Sequence, residues 1–216
     1  IQCHPDIPFA QQYYNSNHGK AESWFILGTR KINNENPYIL MGFKEDLNPD
    51  EFKEAARQEN IFKMEQSLHR VEVSPGQMYY IPGRMPHAIG PGVFLLEVQE
   101  PTDWVVQPER LIGDTELSHS DMWGPLEPEI GLDCFDYDSR DTKDNIIKKV
   151  SLAPLDSEKQ KGSLIETIVH PGITSCFSVD RLTVDDIAEI SFERRWSLAI
   201  VTSGTSKLVS GNGEGL

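Results

Sequence analysis

Residues 69–101 read HRVEVSPGQMYYIPGRMPHAIGPGVFLLEVQEP. Val71 and Val73 alternate with polar neighbours, as a half-buried strand requires, and Pro75-Gly76 marks a turn. Residues 78–81 form a second strand-like run, closed by Pro82-Gly83, and 93–98 a third. Strand, turn, strand, turn, strand at this spacing predicts an antiparallel barrel or jelly roll. His87 falls in the second turn, in PGRMPHAIG, where Pro86 restricts the backbone before it. A histidine fixed in such a turn is pre-positioned for a site.

Working toward the N-terminus, SWFILGTR (23–30) is rich in β-branched and aromatic residues and reads as a strand. Asn48-Pro49-Asp50-Glu51 is a helix start: Asn48 caps, Pro49 occupies the first turn and Glu51 lies three residues after the cap. Phe52, Ala55, Ala56, Glu59 and Phe62 then recur at helical spacing, which predicts helices over 49–58 and 60–67, a small helical insertion near 48–67.

Working toward the C-terminus, 102–130 is irregular, with Pro108, Gly113, Gly124, Pro125 and Pro128. Residues 141–150 predict a short helix, and the polar stretch 154–163 (PLDSEKQKGS) a linker or exposed loop. From 164 to 216 strands and turns resume in LIETIVH, TSCFSVDRLTV, SFERRWSLAIVTSG and TSKLVSG. The expected division is a metal-binding unit over 1–150 and a smaller β-unit, cut short, over 151–216. The first residue is Ile1 and the last residues are GNGEGL, so an internal fragment is expected.

Composition limits the function classes. With 34 acidic and 20 basic residues the formal net charge is −14, which argues against nucleic-acid binding, because phosphate contacts need clustered Lys and Arg. No apolar run approaches the roughly 20 residues needed to span a bilayer, and no targeting segment is visible. Cys3, Cys134 and Cys176 form no C-x-x-C pair, so buried free thiols and a cytoplasmic location are expected. No oligomeric state follows from these features.

Four polar residues could act together. Gln2 and His4 are two apart, so a strand would place both side chains on one face. His offers a neutral imidazole nitrogen and Gln a carbonyl oxygen to a metal. Glu22 precedes Trp24 and Phe25 in an apolar run, where a cation would offset the cost of burying its charge. The spacing Gly76-x5-Pro82-x4-His87 resembles the second cupin motif, and Gln2, His4 and Glu22 stand where the first motif's ligands belong.

The strings QCHPD, GKAESWFILG and GQMYYIPGRMPHAIGPGVFLLEVQEPTD resemble type I phosphomannose isomerase closely over about 1–107 and loosely beyond. The resemblance implies a mostly β cupin jelly roll, a zinc ion held by Gln2, His4, Glu22 and His87, and interconversion of mannose 6-phosphate and fructose 6-phosphate. It implies roles for Lys20 as the active-site lysine and for Glu97 and Asp103 as acidic residues beside the metal. Arg84, Arg110 or Lys20 would face the phosphate.

The family's arginine four residues after that aspartate is replaced by Gln107, with Arg110 three residues further on. That change admits a non-catalytic or altered sugar-phosphate-binding cupin. A cupin using Fe(II) with oxygen is a further alternative, disfavoured by Gln2 where such enzymes carry His. A structural β-domain without metal is the plainest alternative.

Overall fold

A computed structural model describes residues 1–160, 162–187 and 197–207. Two three-stranded antiparallel sheets carry the site. The first has the order β4-β1-β6, built from β1 (Glu22–Thr29), β4 (Met78–Ile81) and β6 (Val93–Gln99). The second has the order β3-β2-β5, from β2 (Tyr38–Phe43), β3 (Leu68–Glu72) and β5 (His87–Ile89). Trp24, Ile26, Ile39, Met41, Val71, Tyr79 and Ile81 form one buried core shared by both sheets. The result is a jelly-roll sandwich of separate ladders rather than a closed barrel among the described residues.

The register decides which residues reach the interior. Glu22, Trp24 and Ile26 alternate with Ser23 and Phe25 along β1, so the first three share a face. Trp24 lies directly opposite Glu97 on β6 and Tyr79 on β4. Apolar Val93 and Leu95 pack against the shared core from β6. The interior of this sheet is therefore apolar along most of its length and ionisable at the end that carries Glu22 and Glu97.

One helix precedes these strands and two more lie between β2 and β3. α1 (Ile7–Tyr14) begins at Asp6, whose carboxylate accepts from Phe9 N at 2.9 Å, with Pro8 in the first turn. α2 (Pro49–Arg57) and α3 (Ile61–Gln66) form after caps by Asn48 and Asn60. Phe52, Ala55, Ala56 and Met64 of this insertion pack with Phe43, Phe135 and Trp123 in a second core.

The segment 102–130 is less irregular than expected. It holds a two-stranded hairpin, β7 (Leu111–Ile112) with β8 (Thr115–Glu116), then α4 (His119–Trp123) and α5 (Pro128–Leu132). A capping box at Ser118 and Asp121 starts α4. The predicted helix at 141–150 is α6 (Lys143–Val150), capped by Thr142.

A third antiparallel sheet of order β11-β10-β9 follows, from β9 (Asp156–Gln160), β10 (Ser163–Val169) and β11 (Val179–Val184). Ile168 and Val169 pack against Met78 of β4, with Phe25 beside them. The expected loop at 154–163 is thus corrected. Asp156 to Lys159 are exposed and pair across with β10, so backbone hydrogen bonds rather than a hydrophobic pattern make this strand. Of the strands expected in 191–211, residues 191–196 and 208–211 lie outside the described residues, and 197–207 carry no strand.

Cys3 and Cys134 are buried free thiols, as expected, whereas Cys176 is half-exposed and places its sulfur 3.8 Å from His18 Nδ1. Among the described residues no helix is long and apolar enough to cross a membrane.

Candidate metal centre

His4, Glu22 and His87 arrive from three parts of the chain and offer ligand atoms that all lie within 4.8 Å of one another. All three side chains are buried, with Glu22 and His87 fully so. Glu22 is the first residue of β1 and His87 the first of β5.

His4 stands on no regular strand. Gln2 and Cys3 make isolated bridges instead, Gln2 to His87 and Cys3 to Val106. Two main-chain bonds of 2.9 Å each join Gln2 and His87, which sets Gln2 beside the cluster.

Tight packing fixes His4 from both sides. A Cβ on Gly19 would stand 2.6 Å from Pro5 O, and one on Gly83 would stand 2.7 Å from Asp6 Cα. The HPD string is therefore wedged between the loops carrying Lys20 and Arg84, and only glycine permits the approach. Arg84 N donates to His4 O at 2.6 Å, and Lys20 N donates to Pro5 O at 3.0 Å.

Both imidazoles are oriented by backbone carbonyls. His4 Nδ1 lies 2.8 Å from Trp104 O, and His87 Nδ1 lies 2.8 Å from Met85 O. A carbonyl only accepts, so each Nδ1 carries the proton and each Nε2 turns to the centre. This is the carbonyl-backed arrangement that metal-binding histidines use.

The donor atoms at the centre suit a cation. His4 Nε2 is 2.8 Å from Glu22 Oε1. With Nε2 bare, nitrogen and carboxylate are lone pairs aimed at one point. The Lys20 ammonium donates to Glu22 Oε1 at 2.6 Å and approaches His4 Nε2 at 3.1 Å. His87 Nε2 is buried without a hydrogen-bond partner among the described residues and lies 3.8 Å from Glu22 Oε2. That orphaned nitrogen, converging with a second imidazole and a carboxylate, fits a divalent cation such as zinc.

Titration follows from the same geometry. Burial alone would raise the Glu22 carboxyl, but its contact with His4, the neighbouring His87 ring and the Lys20 ammonium hold it well below the usual carboxylate range. Burial, with the His4 ring close by, pushes the His87 imidazole down to about 3, so it stays neutral and able to ligate. Burial and the Glu22 charge raise the Glu97 carboxyl.

Trp24 connects Glu97 to the cluster. Its indole N–H donates to Glu22 Oε2 and to Glu97 Oε2, each at 3.0 Å. Its ring meets His87 edge-on, 5.4 Å between centroids at 78°. Sequence reasoning passed over Trp24. The available signal was its place two residues after Glu22 on a strand, hence on the same face.

The remaining expected residues divide. Asp103 is exposed, on the segment whose Trp104 orients His4. Gln107 is half-buried and donates its backbone N–H to Met122 O at 2.7 Å. Arg84 and Arg110 make their contacts elsewhere. Arg84 donates to Cys134 O at 3.2 Å and Asp133 O at 3.1 Å. Arg110 pairs with Glu59 at 3.5 Å and with Glu116 on the exposed surface.

Comparison with known proteins bears on this arrangement. No family model matches the chain. Over 222 aligned positions it is 22% identical to mannose-6-phosphate isomerase ManA of Bacillus subtilis (strain 168), covering 98% of this chain and 60% of that protein. It is 28% identical over 109 positions to mannose-6-phosphate isomerase of Streptococcus mutans serotype c, covering 48% of this chain and 30% of that protein. The crystal structure of the mannose 6-phosphate isomerase from Bacillus subtilis superposes with a TM-score of 0.60 at 24% identity, over 85% of this chain and 51% of that one. Its relatives in sequence and fold are mannose-6-phosphate isomerases. The architecture is accordingly the mostly β fold of the Bacillus subtilis isomerase. The chain spans about half to three-fifths of the length of the isomerases it matches over most of its length.

Proposed function

We propose that this chain is the metal-binding part of a cytoplasmic sugar-phosphate isomerase that interconverts mannose 6-phosphate and fructose 6-phosphate. The convergence of His4, Glu22 and His87, with Glu97 joined to them through one indole N–H, carries this reading. One zinc ion per chain would be held by these three residues and Gln2. When bound it supplies Lewis acidity and a template for sugar oxygens.

The chain's own residues account for the proton movement. Aldose–ketose isomerisation breaks the C2–H bond, passes through an enediol, and forms a C1–H bond while O2 gives up its hydroxyl proton and O1 gains one. No oxidant is needed. Glu97 is assigned the carbon-bound proton: it takes the proton from C2 and returns it to C1. A half-buried carboxyl raised by burial and by the Glu22 charge is a stronger base than an ordinary glutamate. Lys20 stands close enough to the cluster to stabilise developing negative charge on a sugar oxygen. Asp103, on the segment that orients His4, is assigned to substrate contact.

A second reading is favoured by a specific observation. Gln107 replaces the arginine of the resembled family, and Arg110 is occupied by Glu59 and Glu116. Arg84, expected to face a phosphate, is likewise occupied by two carbonyls. A sugar-phosphate-binding cupin with little or no turnover would have these properties, since Gln cannot replace a charged fork.

The zinc-loaded chain in deuterated water, given either sugar phosphate, distinguishes the two. Interconversion with deuterium entering the product is the expected result. Binding without exchange would establish the second reading. Iron in the purified protein, with oxygen uptake, would overturn both.

A further inference from the structure

We propose that Trp24 is a positioning residue that couples the metal-binding carboxylate of Glu22 to the proton-transfer carboxylate of Glu97. The inference rests on the isomerase reading for Glu97, but its structural basis is independent. Trp24 is 1% exposed, inside the core shared by the two sheets. Its indole has one N–H, and that N–H meets both carboxylates at 3.0 Å.

Register makes this contact unavoidable. Glu22 and Trp24 lie two apart on β1, and Glu97 stands directly opposite Trp24 on β6. All three side chains therefore leave one face of one sheet. Two carboxylates brought this close repel each other, and the shared donor offsets that repulsion on the side away from Lys20 and His4. Glu22 is thereby held at both oxygens: Oε1 by Lys20, Oε2 by Trp24. Glu97 is held one indole N–H from that ligand.

Phenylalanine and leucine would fill the same apolar space without a donor. The ring alone serves the core and the edge-on contact with His87; only the N–H serves the carboxylates. Trp24 touches neither a reacting atom nor the ion, and acts through the two glutamates.

The test compares the chain with Trp24→Phe, Glu97→Gln and the double variant. Zinc affinity, measured by competition with a chromophoric chelator, reads the link to Glu22 without any activity. Loss of an outer-shell partner typically weakens binding about 10- to 100-fold, and that is expected for Trp24→Phe. At saturating zinc, kcat of Trp24→Phe should fall about tenfold with KM within about threefold. Against Glu97→Gln, the added Trp24→Phe change should lower kcat less than about twofold, because the two residues act as one unit.

Unchanged zinc affinity in a folded Trp24→Phe protein would overturn the proposal. So would strictly multiplicative loss of kcat in the double variant, which marks a merely structural role. If the unmutated chain shows no interconversion, the isomerase reading fails, and zinc affinity alone then decides the role of Trp24 toward Glu22. A Trp24 analogue with sulfur in place of the indole nitrogen covers the case in which Phe fails to fold, and it should reproduce the loss of affinity.

Discussion

His4 Nε2 and Glu22 Oε1 stand 2.8 Å apart, although a helix and a loop separate the two residues in sequence. Lys20 donates to the same carboxylate oxygen from a nearly buried position. Lys20 and Glu22 therefore form a charge-balanced pair beside His4, and removing either leaves the other uncompensated.

Glu22→Gln is expected to weaken zinc binding by more than the roughly 100-fold seen for outer-shell partners. It should also destabilise the metal-depleted protein by about 3 to 5 kcal/mol, because the buried Lys20 ammonium loses its counter-charge. Lys20→Met in the same background should recover part of that loss. Denaturant unfolding of the two variants in chelator checks both statements.

Acid should destabilise the metal-depleted chain. His87 has a folded pKa of about 3, against roughly 6.5 for an unfolded histidine. Between those values the unfolded chain binds a proton that the folded chain excludes, so stability falls as pH drops from about 6.5 toward 3. Glu22, held low, adds to this below the ordinary Glu range near 4.3, where its contribution is lost as pH falls. Glu97, held high, acts in the opposite sense and gains stability as pH falls through its folded pKa. The melting temperature between pH 7 and 4 should fall, and His87→Gln should flatten the slope above pH 5. A flat profile in the unmutated chain would contradict the burial of His87.

Arg84 adopts φ +68°, a left-handed conformation that disfavours any side chain. Its two guanidinium bonds and the Asp136 N–H to Arg84 O bond hold it there. Arg84→Ala keeps the strain and loses the side-chain bonds, at an expected cost of about 1 to 3 kcal/mol. Arg84→Gly loses the same bonds but relieves about 1 kcal/mol of strain, so it should be the more stable of the two. Thermal unfolding of the pair gives the comparison.

Gly19→Ala and Gly83→Ala should each cost about 1 to 3 kcal/mol or more, because a methyl group meets backbone rather than a movable side chain. Both should weaken zinc binding as well, since the displaced segment carries His4. Equal zinc affinity in a destabilised Gly83→Ala protein would separate the packing from the metal centre.

Much of the fold was legible because alternation and turn chemistry coincide in 69–101. The three strands read there reappear as β3, β4 and β6, with β5 beginning at His87. The helical insertion was legible for a similar reason, since Asn48 caps in the expected way. α1 escaped because its cap, Asp6, falls within a string read for its ligand, and the first-turn Pro8 lies just beyond that string. β2 escaped because YILMGF is a continuous apolar run, which periodicity alone cannot assign. β9 escaped because its polar residues face solvent and only pairing defines it.

At the site, His4, Glu22 and His87 could be grouped in sequence because two short motifs bracket a variable insert, and the fold brings the three together. Arg84 and Arg110 were not, since their partners are carbonyls and carboxylates brought close only by the tertiary fold. Trp24 was hidden for another reason: a tryptophan in an apolar strand looks like core, and here it is core with one polar edge.

The wedge of Pro5 and Asp6 between Gly19 and Gly83 ties two events together. Asp6 caps α1 and, one residue away, Pro5 follows the ligand His4. Opening the centre enough to release His4 would pull the start of that helix with it. If His4 holds the proposed ion, its exchange should be coupled to fraying of α1, and the residence time of that ion should depend on a helix end that never touches it.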